Sequence, residues 1–196
     1  MADFKSSKTA ENLMKAFAGE SQARNRYTFY ASRARQEGYR QIEEIFIETA
    51  ENEKEHAKIF FKHLEKNLDA NHMQEIQAGY PVALSDKTVS NLESAANGER
   101  EEWTTLYPQF ADIAEKEGYN DIARSFRSIS LVEEKHEKRY RKLADNIKSD
   151  KVFKKDAKVF WICRNCGHII ESKEAPKKCP VCEHPQEYFQ LFVENY

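Results

Sequence analysis

The chain has 196 residues, 40% of them hydrophobic, with 31 Lys and Arg against 33 Asp and Glu and a formal net charge of −2. That length allows one medium domain with a small one appended, and the interspersed charges speak against nucleic acid or an anionic membrane as the main partner. No apolar run approaches the roughly 20 residues of a membrane span. Residues 1–15 lack the apolar stretch of an export signal, so a cytoplasmic location is expected.

Residues 7–36 predict a first helix. They contain no Pro, and Leu13, Ala16, Phe17, Glu20, Ala23, Arg24, Tyr27 and Ala31 recur at three- and four-residue steps. Gly38 is expected to stop it and Tyr39 to open the next element. Residues 40–66 predict a second helix, with Ile42, Ile45, Phe46, Thr49, Glu53, His56, Phe60 and Leu64 on one stripe. Residues 67–85, with Asn71, Gly79 and Pro81, form a connection too long for a tight turn. Ser85 or Asp86 is expected to cap a third helix that reaches about Lys116, with a kink or local irregularity at Pro108. Gly118 separates it from a fourth helix over roughly 120–147.

The charged residues 148–158 read as a linker. Beyond Val159 the pattern changes to short apolar stretches, turn residues and cysteines, and residues 188–192 predict a strand. Two helical hairpins joined by one long crossover predict an all-α, ferritin-like four-helix bundle. The expected organisation is a bundle over 1–148, a linker over 149–158 and a small β-rich metal domain over 159–196.

The two hairpins share a pattern. Gly19-Glu20, Glu37-Gly38-Tyr39 and Glu53-x-x-His56 recur as Gly98-Glu99, Glu117-Gly118-Tyr119 and Glu133-x-x-His136. The offset is 79 positions at the first landmark and 80 at the other two, so one residue is inserted between them. Residues three apart on a helix project from one face, so each Glu-x-x-His can offer two ligands to one metal. Glu20 and Glu99 hold the matching place on the other helix of each hairpin. A carboxylate on an apolar stripe is costly unless paired or metal-bound. A single Glu-x-x-His in so acidic a chain would read as surface; the duplicated landmarks select a two-metal site. Carboxylate with imidazole suits iron or manganese.

Glu102 breaks the repeat, because its counterpart is Ala23. It follows Glu99 by three positions on the same face and reads as an extra ligand, the alternative being a solvated acid like Glu101. Glu102 and His56 are then rival ligands of one metal. Gly19 and Gly98 sit inside helices, where Gly costs about 1 kcal/mol relative to Ala; close helix approach, or space beside the metals, would offset that. His63, His72, His168 and His184 have no partner at ligand spacing and read as surface or structural.

Cys163-x-x-Cys166 and Cys179-x-x-Cys182 have the paired spacing of a tetrahedral thiolate site, which iron and zinc share. Trp161, Tyr188, Phe189 and Phe192 are candidates for a small aromatic core beside it. None of the six glycines forms a dinucleotide-binding G-x-G-x-x-G, so hydride chemistry must lie on a separate reductase.

Ala18-Gly-Glu-Ser-Gln-Ala-Arg-Asn-Arg-Tyr27, Glu48-Thr-Ala-Glu-Asn-Glu-Lys-Glu-His56, Glu99 with Glu102, Glu133-Glu-Lys-His136 and the terminal four-cysteine module together resemble the rubrerythrin family over nearly the whole chain. The resemblance implies a homodimeric non-haem di-iron peroxidase that reduces hydrogen peroxide to water in oxidative-stress protection. Its di-iron ligands carry over to Glu20, Glu53, Glu99, Glu102, Glu133 and His136, with His56 the ligand of the reduced state. Tyr27 and Tyr107 carry over as tyrosines around the iron carboxylates, the plain alternative being core aromatics. The cysteine segment resembles rubredoxin, which implies a third iron for single-electron transfer from a reductase or rubredoxin, with zinc substitution open. Glu183 stands where rubredoxins usually have Gly. Cross-chain electron transfer in the dimer is a further implication. Two other functions compete: a ferritin-like ferroxidase or iron-handling protein, which needs no electron-input domain, and a zinc-stabilised scaffold, which needs no buried ligand set.

Overall fold

The computed structural model describes residues 3–195; residues 1, 2 and 196 of the expected domain ranges lie outside it. Four long helical stretches form the bundle. α1 (Lys8–Gln36) and α2 (Arg40–Asn67) make the first hairpin. The second is α3 (Thr88–Glu101), a π turn (Glu102–Leu106), α4 (Tyr107–Lys116) and α5 (Asn120–Lys148). Residues 68–87 cross between the hairpins. Among the described residues no helix is long and apolar enough to cross a membrane.

The Glu-Gly-Tyr landmarks close both hairpins in the same way. Gly38 (φ +78°) and Gly118 (φ +91°) take the left-handed conformation that ends a helix. The N–H of Tyr39 returns to Ala34 O and that of Tyr119 to Ala114 O, each at 2.8 Å. The glutamates reach across the bundle. Glu117 accepts from the N–H groups of Lys8 (3.1 Å) and Thr9 (2.9 Å) at the start of α1, and Glu37 accepts from the Thr88 N–H at the start of α3. Each hairpin therefore caps the first helix of the other, satisfying donors that have no partner within the helix. This cap replaces the expected one: Ser85 and Asp86 both lie before Lys87, the residue that precedes α3, and Ser85 receives the Lys87 N–H instead.

Glu117→Ala should destabilise the bundle by about 2 kcal/mol, since it also strips the acceptor from the buried Thr9 hydroxyl. Denaturant midpoints at constant slope measure this; a loss within experimental error would show that the cap is redundant.

Pro108 lies at the start of α4, directly after the π turn. Proline has no N–H and its ring crowds the carbonyl four residues back, so a widened turn accommodates it where a regular helix would not. The π turn also falls where the second repeat carries its inserted residue.

Two apolar layers fill the bundle. One gathers Leu13, Phe60, Tyr107 and Phe126; the other gathers Tyr27, Tyr30, Phe46, Leu92 and Tyr140. On α1 the first layer reaches Ala16 and the second begins at Ala23, with Glu20 between them. The candidate ligands thus form a polar band closed above and below by hydrocarbon.

The small domain is a three-stranded antiparallel sheet, β1 (Lys154–Cys163), β2 (Ile169–Glu174) and β3 (Phe189–Leu191), in the order β2-β1-β3. Residues 154–158, expected in the linker, belong to β1, and Lys154 pairs with Glu174. Charged side chains on the open half of that strand hide its period. Trp161, Cys163, Ala175, Cys179 and Phe189 are its buried core, with Tyr188 packed against it. Phe192 is only half-buried; Phe153, Val159 and Ile170 pack there in its place.

This domain docks on the turn between α1 and α2. Arg40 donates to Glu187 (3.0 Å) and to the Tyr188 hydroxyl (3.2 Å), Arg164 pairs with Glu44, and Phe153 stacks on Tyr39.

Candidate metal centres

Glu20 on α1, Glu53 and His56 on α2, Glu99 on α3, and Glu133 and His136 on α5 converge in the polar band. All six side chains are buried. They form two overlapping groups of converging ligand atoms: Glu20, Glu53, His56 and Glu133, then Glu53, Glu99, Glu133 and His136. Glu53 and Glu133 belong to both. Glu133 offers one oxygen to each side, Oε1 lying 2.9 Å from His56 Nδ1 and Oε2 2.8 Å from His136 Nδ1. Glu53 does the same, with Oε2 2.9 Å from His56 Nδ1 and Oε1 3.2 Å from His136 Nδ1.

Several of these approaches are not hydrogen bonds. Among the described residues, both oxygens of Glu133, Oε1 of Glu53, Oε2 of Glu20, Oε2 of Glu99 and Nδ1 of His136 have no hydrogen-bond partner. Buried polar atoms without partners are costly, and here the atoms face common points rather than one another. Two cations, one at the centre of each group, satisfy that donor set, so the residues present fit a di-metal centre.

The repeat is exchanged between hairpins in the surrounding shell. Tyr27 of the first donates to Glu99 of the second at 2.5 Å, and Tyr107 of the second donates to Glu20 of the first. The structure brings together six of the seven expected ligands and both tyrosines. Glu102 belongs to neither group. It opens the π turn, half-buried, beside the cluster. His56 is inside. This is the arrangement in which the histidine, rather than the rival carboxylate, faces the metal position. His63 instead meets Ser125 (2.9 Å), and His184 meets the Cys182 carbonyl (3.1 Å).

Sequence reasoning missed the anchor of the π turn. Trp103 donates its indole N–H to Glu137 (2.6 Å), and Arg141 holds the other Glu137 oxygen (2.7 Å). Glu137 directly follows His136, but no spacing rule links it to Trp103.

Burial raises the carboxyls of Glu20, Glu99 and Glu102 well above the usual range, and neighbouring carboxylates add to the effect. Burial opposes charge on the imidazoles, but the close carboxylates of Glu133 and Glu53 outweigh it and raise His56 to about 10 and His136 to about 9. Burial would raise Glu53 too, yet the two histidines bring it down to about 2. Without metal, protons balance the cluster.

The pH dependence follows. Groups raised on folding stabilise the folded state below their unfolded values and lose that contribution as pH rises through the folded ones. For the histidines the window runs from 6.5 to about 10. The lowered Glu53 works oppositely, but between 4.5 and about 2, outside this window. Metal-free protein should therefore melt at falling temperatures as pH rises through the histidine window, and metal should remove the trend by displacing those protons. Scanning calorimetry of both forms checks this; a flat metal-free curve would contradict it.

The four cysteines form the other cluster. Their ligand atoms all lie within 4.8 Å of one another, with Cys163–Cys182 at 3.6 Å and Cys166–Cys179 at 3.7 Å between sulfurs. Two matching loops present them. The Cys163 N–H bonds to His168 O (2.9 Å) and the Cys179 N–H to His184 O (2.8 Å). Gly167 (φ +76°) and Glu183 (φ +61°) hold equivalent left-handed positions, so Glu183 takes the glycine conformation without being glycine. The backbone N–H of His184 holds the Cys182 thiol down at about 6. At Cys166 the backbone N–H of His168 acts the same way, but burial and the other three sulfurs push that thiol up to about 12.

Comparison with known proteins agrees with this anatomy. The rubrerythrin family profile matches residues 11–144, and that of the rubrerythrin, rubredoxin-like domain matches residues 161–190. The chain is 58% identical to Rubrerythrin-1 of Clostridium acetobutylicum and 56% identical to rubrerythrin of Clostridium perfringens, each over the whole of both chains. Among solved structures, the fully reduced, all-ferrous state of nigerythrin superposes with a TM-score of 0.63 at 33% identity, covering 95% of this chain and 90% of that one.

Proposed function

From the premise that this chain belongs to the rubrerythrin family, we propose that it is a di-iron peroxidase reducing hydrogen peroxide to water, with electrons supplied through the four-cysteine site. The observation that carries this reading is the coexistence, in one chain, of a buried carboxylate–histidine cluster and a separate four-cysteine cluster. An iron store needs only the first and a zinc-stabilised scaffold only the second.

The reaction is H2O2 + 2e⁻ + 2H⁺ → 2H2O. When bound, a ferrous pair supplies the two electrons. The chain's residues supply the rest. Glu53 and Glu133 hold both metal positions at once, Glu20 with His56 completes one, and Glu99 with His136 completes the other. Tyr27 and Tyr107 fix the terminal carboxylates through their hydroxyls, which burial keeps protonated. The apolar layers exclude bulk water. Cys163, Cys166, Cys179 and Cys182 would hold a third iron, which would pass single electrons. The all-ferrous relative supports iron at these positions, and zinc in the thiolate site is the alternative loading.

The cysteine domain sits at the end of the bundle, at Arg40. Glu53 lies thirteen residues along α2, about 20 Å away at 1.5 Å per residue. That span is long for electron tunnelling, and the family resemblance supports a homodimer in which the partner chain supplies each buried cluster.

The test is anaerobic. Chemically reduced protein should be reoxidised by one equivalent of hydrogen peroxide per di-iron site, followed in the visible spectrum. Failure to reoxidise, with iron loaded, would leave the iron-handling reading instead.

A further inference from the structure

Glycine in the middle of a helix costs about 1 kcal/mol relative to alanine. Gly19 and Gly98 do so immediately before Glu20 and Glu99, yet neither is required by close packing. A methyl on Gly19 would meet the Tyr80 ring at 3.7 Å, and one on Gly98 would meet the Arg26 guanidinium at 3.9 Å. Both are ordinary contacts. What the glycines share is a cavity of about 300 Å³ between α1, α3 and the crossover segment. Of the seven candidate ligands, Glu102 alone lines it. A larger side chain at either glycine would fill that space.

The cavity has a definite outer wall. Tyr80 of the crossover lies over Gly19, and its hydroxyl donates to the Lys15 carbonyl at 2.9 Å. Gln22 and Arg26 give it polar donors, and Arg26 is held in place by Gln22 (2.6 Å). A water occupies about 30 Å³ of liquid, so the chamber has room for roughly ten. Hydrogen peroxide, about the size of two waters, fits with space to spare.

We propose that this chamber is the access port of the buried centre: it admits small hydroperoxides and anions past Glu102, and Tyr80 of the crossover sets the size limit at its mouth. The inference rests on the peroxidase reading for its natural ligand. The bore stays open because Gly19 and Gly98 carry no side chain to fill it. Glu102, standing outside the cluster at the inner end, is the group an incoming molecule passes.

Azide tests the port independently of turnover. Its association with the iron-loaded, oxidised protein is read from the absorbance of the complex. Gly98→Leu should slow azide association about tenfold or more at unchanged iron content and final amplitude, while Gly98→Ala should slow it little. Tyr80→Ala should raise the rate of tert-butyl hydroperoxide relative to hydrogen peroxide by about fivefold or more. If Gly98→Leu does not load iron, Gly19→Leu and Tyr80→Ala carry the same comparison. Unchanged azide rates in a fully loaded leucine variant, or unchanged hydroperoxide selectivity in Tyr80→Ala, would overturn the port. If wild-type protein binds azide through the chamber but is not reoxidised by peroxide, the peroxidase reading fails and the port stands.

Discussion

Reductase-driven peroxide turnover should fall by about a hundredfold or more in Cys163→Ser and in Cys179→Ser, beyond the 10–100-fold typical of losing a group that only supports a metal ligand. Both sulfurs are buried and belong to the four-cysteine group, so serine breaks the tetrahedron. The carboxylate cluster shares no residue with it. A single reoxidation of chemically reduced protein by peroxide should therefore proceed at the wild-type rate. The two results together locate electron input at one site and peroxide reduction at the other. Mixed dimers sharpen the test: one chain carries Cys163→Ser, and the other lacks the di-iron site. Activity above both parents supports cross-chain supply. Steady-state turnover persisting in the cysteine variants would remove the relay altogether.

Loss of both buried metals is the expected result of Glu133→Ala, whereas Glu102→Ala should keep them. Glu133 gives an oxygen to each group of converging ligands, and both oxygens lack any other partner. Glu102 gives an atom to neither. Iron analysis distinguishes the two variants directly, and two irons retained in Glu133→Ala would refute its shared role. Glu102→Ala should instead destabilise the ferric state and raise its reduction potential, because ferric iron, the harder cation, gains more from an additional carboxylate. His56→Ala should slow reaction of the reduced site with peroxide. Paired crystal structures of the oxidised and fully reduced protein test the underlying exchange of His56 for Glu102. Reduced crystals with Glu102 bound and His56 free would show that no exchange occurs.

The helices, the single crossover and the candidate ligands were legible in the amino-acid order, because helical period and i, i+3 spacing are local properties. The duplicated landmarks added a global constraint: two equal hairpins must place Glu20, Glu53, Glu99 and Glu133 at one level. The inserted residue was countable in sequence, but its form was not. The fold absorbs it as the π turn at Glu102, where Pro108 already disfavours a regular helix. Local order was equally silent on Glu37 and Glu117. Each reads as the end of its own helix, and each acts at the start of a helix in the other hairpin. Tyr27 and Tyr107 likewise serve the opposite repeat. The first half of β1 was lost among lysines because an edge exposed to water carries no apolar alternation. What the sequence determined by itself was which side chains are candidate ligands, since ligand type and helical phase are properties of a few neighbouring residues. What only the tertiary structure decided was which partners hold them, that His56 and not Glu102 joins the converging ligand groups, and that Glu102 lines a cavity beside them. Those depend on distances between segments far apart in the chain, which are fixed only when the two hairpins pack.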